Sequence, residues 1–472
     1  MPALALALAG VLLLAVPAAA VQVPPEGACP PYAVPRGEGP VRSAEDLIPP
    51  GLVPGEVLDL DGIPKLRRYL PQEVWARRDA FFYEGMSMEV GPCHRRYPAP
   101  PFFEAATRAN AGVAEIDAEG NLRHYSGQGM PFPIDSIADD APDAGQRWAW
   151  DVRYRYLGAG FRGKFRIIHL ERRGRKVERF RGTMTFLPLH GVPGEPAAEN
   201  RFAWAGRFSA PEVARGVAWR QYRSAEADRD WNRSDQLFVY VPEERRVRRA
   251  PPRGVDGLFM PSYTRGFVTG GGKLILPMPE TSVSTPAPSI AVAEHWRRGF
   301  VGLMFRPNAY RFKLVDVRDV IAPINSKVDG YPTHEERSYG PSGLSLASDR
   351  WEIRRAVVLE GRRKKTVGNL YDLTLWVDAL TAQPLYLISH RSRGRIFEVG
   401  IFMSRFSGDA PAPGSWDGSG PGFGALLPVA ESFWVIADQS WLRDSFALEA
   451  NPLSPRSRKR VLDSFTLQKE GR

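Results

Sequence analysis

The side chains able to do chemistry are thinly spread. His94, His124, His169, His190, His295, His334 and His390 have no second ligand at helical spacing, so the pattern points away from a metal centre. Cys93-His94 sets a thiol beside a base. Neighbours on a strand point oppositely, however, and the pair reads as cystine or packing. Gly270-Gly271-Gly272-Lys273 lacks the Ser or Thr that follows the lysine of a phosphate loop, and Phe267 stands where its first glycine belongs. No Gly-x-Ser-x-Gly elbow occurs. Asp139, Asp140 and Asp143 offer too few ligands for calcium and read as a solvated turn. No catalytic residue, metal or cofactor is expected.

What remains is aromatic and basic. The candidate ligand-cavity residues are Trp148, Trp150, Tyr154, Tyr156, Phe238, Tyr240 and Trp376. The candidate cations for an anionic headgroup, or for a charged surface, are Arg153, Arg155, Arg245, Arg246 and Arg248. Closed-core packing is the competing reading for each ring. Two stretches must position them. Trp148 to Tyr156, WAWDVRYRY, alternates strictly and predicts a half-buried antiparallel strand. Trp148, Trp150, Val152, Tyr154 and Tyr156 would share one face, each aromatic burying about 150–250 Å². Asp235 to Pro251, DQLFVYVPEERRVRRAP, predicts a hairpin. Leu237 to Val241 are apolar on both faces, Pro242-Glu243-Glu244 turns the chain, and Arg245 to Ala250 returns. One face of the outgoing strand can pack on a core. The other must meet a second layer or line a cavity.

The chain has 472 residues, with 45 Gly and 43 Pro, which favours many short strands over a helical bundle. Further strands are expected at Met86–Val90, Lys164–Leu170, Val177–Phe186, Val217–Ala225, Arg311–Ile321, Arg350–Leu359, Leu370–Val377, Leu385–His390, Ile396–Phe406, Phe433–Ala437 and Ser464–Gln468. Val113–Ile116 and Asn121–Tyr125 form a small hairpin. Short helices are expected at Glu73–Tyr83 and Phe102–Asn110. Pro277–Pro288, Gly330–Ser348 and Gly408–Gly424 read as irregular segments or loops.

Ala3 to Ala20 is apolar and ends in Val16-Pro17-Ala18-Ala19-Ala20, so an export signal cleaved after Ala20 is expected. An uncleaved membrane anchor is the alternative. Cys29 and Cys93 are the only cysteines; in an oxidising compartment they pair or stay free. The net charge of +10 includes a run at Arg456–Arg460. An exported chain meets an anionic membrane surface rather than nucleic acid, and a solvated outer face is the simpler account of any one run.

Several stretches resemble a family of exported bacterial proteins often called outer-membrane lipoprotein-sorting proteins. It is distantly similar to the carriers LolA and LolB and to the regulator RseB. The stretches are GEVLDLDGIPK (Gly55–Lys65), VGPCHRRYPAPPFFEAATRANAG (Val90–Gly112), GQGMPFPIDSIADDAPDAGQRWAWDVRYR (Gly127–Arg155), LFVYVPEERRVRRAP and YRFKLVDVRDVIAP, with VDALTAQPLYLISHRSRGRIFEV more weakly. The resemblance implies a mainly β fold with a few helices (α+β). Its large curved antiparallel sheet, or incomplete β-barrel, would be covered by short helices and long loops around a hydrophobic cavity. It implies no catalytic residues, and work beside an inner-membrane export permease and an outer-membrane protein.

The expected organisation is a signal peptide at 1–20, an extended arm at 21–55 and a LolA-like curved-sheet domain at 56–406. Residues 407–472 would add a Gly/Pro-rich loop and C-terminal strands to the same domain. The expected function is that of a periplasmic carrier or binding protein for a lipid, lipoprotein or other hydrophobic ligand, moving it toward the outer membrane. An RseB-like sensor or scaffold using its sheet as a protein interface is the alternative, and a secreted hydrolase a third.

Overall fold

Among the described residues, turns between β-rich runs give one sheet of 15 strands and a separate two-stranded hairpin. In this computed structural model the described residues are 20–29, 51–170, 177–190, 199–242, 245–250, 258, 304–327, 345–364, 371–391, 394–409, 422–436, 439–449 and 454–471. The apolar run before Ala20, the arm from 30 to 50, the Pro277–Pro288 run, most of Gly330–Ser348 and most of Gly408–Gly424 lie outside them.

The strands are β1 (Val57–Leu58), β2 (Met88–Val90), β3 (Glu115–Ile116), β4 (Leu122–Arg123), β5 (Phe161–Leu170), β6 (Val177–Pro188), β7 (Asn200–Ala210), β8 (Ala218–Ser224), β9 (Gln236–Val241), β10 (Arg246–Ala250), β11 (Tyr310–Ala322), β12 (Arg350–Arg363), β13 (Asp372–Asp378), β14 (Pro384–His390), β15 (Ile396–Phe406), β16 (Leu426–Val435) and β17 (Ser440–Glu449). The helices are α1 (Gln72–Trp75), α2 (Arg78–Phe81), α3 (Pro101–Ala109), α4 (Ala144–Tyr154), α5 (Pro455–Leu462) and α6 (Leu467–Gly471). The sheet runs β1-β2-β12-β13-β14-β15-β16-β17-β5-β6-β7-β8-β9-β10, with β11 also on β12. Every neighbouring pair is antiparallel except β2 on β12. The path ends at β1 and β10, so the sheet is not closed into a barrel.

Both faces of the sheet are covered, which is why many strands read as continuous apolar runs. From β12 to β16 one face carries Ile353, Val358, Trp376 and Ile388 and packs under Leu66, Val74 and Phe82. The other carries Val357, Leu359, Leu375 and Phe433 and packs on α4. In the β5–β9 wing, Phe165, Trp204, Trp219 and Val239 share one core. On the reverse, Val461 of α5 and Leu467 of α6 close over Tyr222 and Tyr240. The two-sided strand β9 therefore meets a second layer, the C-terminal helices.

The β9–β10 hairpin forms with Arg246 opposite Val241 and Val247 opposite Tyr240. Three expectations need correction. Trp148–Tyr156 is not a strand: residues through Tyr154 belong to α4, with Trp150 and Tyr154 stacked one turn apart at 6.1 Å. Ten of its residues are buried, from Ala144 to Tyr154 excepting Arg147. A helix enclosed on nearly all sides has no polar stripe to reveal its period. Its polar residues find partners or ring faces inside. Asp151 Oδ1 accepts from the Phe132 N–H at 3.0 Å, and the Arg153 guanidinium lies over Tyr154 and Phe202. Gly145 makes the fit possible, since a Cβ there would sit 2.4 Å from the backbone of Lys313 in β11.

Ser464–Gln468 is also helical, not a strand. Ser454 caps α5 by accepting from the Ser457 N–H, and Pro455 occupies the first turn. Asp463 then caps the turn leading into α6. The helix expected over Glu73–Tyr83 is split into α1 and α2, with the backbone leaving the helix at Arg77. β7 and β17 were not anticipated as strands. Both lie inside the sheet and are mostly buried, seven of eleven residues in β7 and six of ten in β17.

Candidate functional site

A cleft of about 410 Å³ opens beside α3 and the β13–β14 turn. Its first wall is α3, which starts on Pro100-Pro101 and turns Phe103 and Thr107 inward. Thr107 Oγ1 donates to the Phe103 carbonyl and accepts the Met130 N–H, both at 2.9 Å. Asn110 Nδ2 donates to the carbonyls of Gln128 and Met130. These bonds clamp residues 128–130 against the helix. Gly129 has φ +66° and its missing Cβ would lie 2.4 Å from the Thr107 nitrogen, so only glycine fits. Met130, Pro133 and Ile134 then continue the wall.

The inner wall comes from the end of α4. Tyr156 packs on Phe103 with ring centroids 5.0 Å apart. Arg155, only 3% exposed, donates from Nε to Gln383 Oε1 at 3.0 Å and from Nη1 to the Val152 carbonyl at 2.5 Å. Gln383 in turn donates to Ser404 Oγ. Burial pulls the Arg155 guanidinium down to about 9, helped by the charge on Arg153 and opposed by Glu431, so it is cationic at neutral pH. Leu380, Thr381 and Gln383 come from the β13–β14 turn, and Leu426 from the start of β16.

Beneath the cleft lies a buried polar chain. Tyr97 donates to the Glu352 carboxylate at 2.6 Å. Arg354 lies 3.6 Å from Glu352 and bonds both oxygens of Asp378, which also accepts from Thr381 Oγ1. Burial raises the Glu352 carboxyl, against the pull of Arg354 and the Tyr97 hydrogen bond.

The remaining wall is the segment 20–29. Val21 and Val23 face the cleft. Ala20 bridges Ala138, the Gln22 carbonyl accepts from Arg355 Nη1 at 2.9 Å, and the Gly27 N–H donates to the Cys93 carbonyl at 2.8 Å. Cys29 and Cys93 are joined by a disulfide.

Of the residues singled out from sequence, the cleft brings together Tyr156 and Arg155 alone. Trp148, Trp150 and Tyr154 are sealed in the core around α4. The Tyr154 hydroxyl donates to Asp228 Oδ2, which also accepts from Arg201 Nε. Arg153 is buried with them. Phe238 and Tyr240 lie under the C-terminal helices, and Trp376 sits on the opposite sheet face beneath Arg318. Arg245, Arg246 and Arg248 stand at the far edge, on or beside β10. Sequence reading missed Tyr97, Phe103, Thr107, Met130 and Leu380. Yet Val90–Gly112 and Gly127–Arg155, the stretches behind the family resemblance, supply more than half of the lining.

The family model described as "Protein of unknown function (DUF1329)" matches residues 72–262 and 298–421. None of the curated proteins compared with the chain matches it. Among solved structures it is similar to a domain named for outer-membrane lipoprotein sorting from Vibrio parahaemolyticus, at 13% identity and TM-score 0.39, covering 69% of this chain and 99% of that one. A DUF1329 family protein from Desulfovibrio piger matches at 13% identity and TM-score 0.39, covering 68% and 96%. A LolA superfamily protein from Nitrosomonas europaea matches at 10% identity and TM-score 0.32, covering 67% and 95%.

Proposed function

The chain belongs to the DUF1329 family, and on that premise we propose that it is a binding protein, of carrier type, for a single-tailed hydrophobic molecule with an anionic head. The observation that carries this reading is the buried Arg155 at the inner wall of a cleft whose lining joins apolar Phe103, Met130, Ile134, Leu380 and Leu426 with the charged Arg96, Glu104, Arg108 and Asp135. A buried guanidinium is a costly charge to keep, and an arriving carboxylate or phosphate would add a charge-assisted bond to those it makes with Gln383 and the Val152 carbonyl. The tail would lie along Phe103, Met130, Ile134, Leu380 and Leu426.

Size limits the ligand. A methylene is close in bulk to a water, whose share of liquid volume is about 30 Å³. A space of about 410 Å³ then takes on the order of a dozen such groups, which is one short chain rather than several. Burying about ten methylenes contributes roughly 8 kcal/mol before association costs, which caps the affinity near micromolar. We read the protein as exported and cleaved after Ala20, which would leave Val21 at the rim of the cleft. The Cys29–Cys93 disulfide supports an oxidising compartment. Among the described residues no helix is long and apolar enough to cross a membrane.

Calorimetry with decanoate, decanol and decyltrimethylammonium tests the reading. Decanoate should bind best, decanol about tenfold more weakly for want of a charge-assisted bond, and the cationic chain worst. Arg155→Gln should erase the preference for decanoate while decanol binding persists. If Arg155→Gln does not fold, a crystal structure with brominated decanoate decides: its carboxylate should meet Arg155. A carboxylate at the rim, or no binding by any of the three, would sink the proposal.

A further inference from the structure

The C-terminal helices carry a feature that the cleft does not use. α5 and α6 lie on the outer face of β7–β10, fastened by Val461 and Leu467, by the Tyr222 hydroxyl donating to the Val461 carbonyl at 2.9 Å and by Gln468 Nε2 donating to the Arg245 carbonyl at 3.2 Å. The side turned to solvent is basic. Arg456, Lys459 and Arg460 are exposed on α5, and Lys469 is exposed on α6. On β10, Arg249 shares the face of Val247 because alternate side chains point the same way, and that face is the one α6 covers. Leu462 at the end of α5 and Phe465 in the turn before α6 stand between these cations in the chain, at 40% and 90% exposure.

Phe465 is not thrown outward by a frayed end. Its own N–H donates to Asp463 Oδ1 at 2.9 Å, and Thr466 Oγ1 donates to the carbonyls of Arg460 and Asp463. The turn that presents the ring is capped on both sides, so its exposure is built in. A large apolar side chain held in water among cations fits a partner offering anions at its surface and hydrocarbon just beneath. We propose that this C-terminal foot docks the protein on an anionic lipid surface, with Phe465 and Leu462 entering the headgroup boundary and the surrounding cations meeting the phosphates. The foot, α5 and α6, lies beyond residue 421, where the family match ends. A nucleic acid would satisfy the cations but offers no hydrocarbon layer for the Leu462–Phe465 pair, which is why the bilayer is favoured.

Cosedimentation of the full chain with vesicles tests this. Phosphatidylglycerol vesicles should bind it at low ionic strength and release it in high salt, and phosphatidylcholine vesicles should not bind it. Each cation near an anionic leaflet strengthens binding about fivefold, so Arg456→Gln/Lys459→Gln/Arg460→Gln should weaken it by about 100-fold. Phe465→Ala should weaken it about tenfold while leaving salt sensitivity intact. All four positions are exposed, and circular dichroism checks that the fold is kept. No binding to phosphatidylglycerol, binding indifferent to both variants, or tighter binding to duplex DNA at equal phosphate would each overturn the proposal. Decanoate binding in the cleft is expected to be unchanged by these substitutions, so the two readings stand or fall separately.

Discussion

Breaking the Cys29–Cys93 bond should loosen one wall of the cleft as well as the fold. The bond closes a loop with a sequence separation of 64 residues. The entropy such a link removes from the unfolded chain corresponds to about 4 kcal/mol. That figure is a ceiling. Without the bond, residues 20–29 can leave the surface in the native state, and whatever freedom they regain there offsets part of the loss. In the chain cleaved after Ala20 two ties oppose that release: the Arg355 bond to the Gln22 carbonyl and the Gly27 bond to the Cys93 carbonyl. Each is a single hydrogen-bonded contact contributing about 1 kcal/mol at best. A Cys29→Ser/Cys93→Ser variant should therefore lose about 2–4 kcal/mol in urea unfolding. Amide exchange should accelerate at Val21–Gly27, and decanoate should bind more weakly because Val21 and Val23 no longer close the wall. If the variant keeps its stability within about 0.5 kcal/mol and its exchange protection, the strap is held by its other contacts and this reasoning is wrong.

Other perturbations probe the rest of the frame. Asp235 is buried and accepts from Gln221, Arg223 and Arg306, so Asp235→Asn should cost about 3–5 kcal/mol by stranding two buried guanidinium groups, measured by chemical denaturation. Those arginines hold the Asp235 carboxyl below its ordinary range in spite of burial. Its contribution is thus complete above the unfolded value near 3.9 and is lost as pH falls through the lower folded value, so Asp235→Asn should flatten the acid limb of a stability–pH curve. Trp148→Ala should cost about 3–5 kcal/mol and leave decanoate affinity unchanged, because that ring is core and not cleft. Gly129→Ala should displace residues 128–130 from α3 and weaken decanoate binding, visible as a calorimetric loss with the global fold retained by circular dichroism.

The cleft was hard to read because its pieces are short and irregular. Tyr97 and Pro98 lie in a loop, Met130 and Pro133 in another, and Leu380 in a tight turn. None carries a periodicity. Arg155 stands out in the sequence by its charge and Tyr156 by its ring, but strict alternation assigns both to a strand together with three rings that the structure seals in the core. The difference lies in α4. Bulky apolar side chains alternating with Ala149, Asp151, Arg153 and Arg155 mimic a strand, and only the enclosure of Asp151 and Arg153 among packed neighbours explains how a helix tolerates them there.

From its residues alone the chain settled its class. The Pro and Gly punctuation, the two-sided β9 and the Arg-rich turns dictate many antiparallel hairpins, because a strand's pairing is written in its own alternation and in the turn beside it. Which layer covers each strand face was decided only in three dimensions. β9 is backed by α6, more than 200 residues downstream, and the cleft joins six separate stretches of chain between Val21 and Leu426. Burial depends on what arrives from elsewhere, and a local pattern of apolar side chains is the same whether the next layer is a helix, a ligand or water.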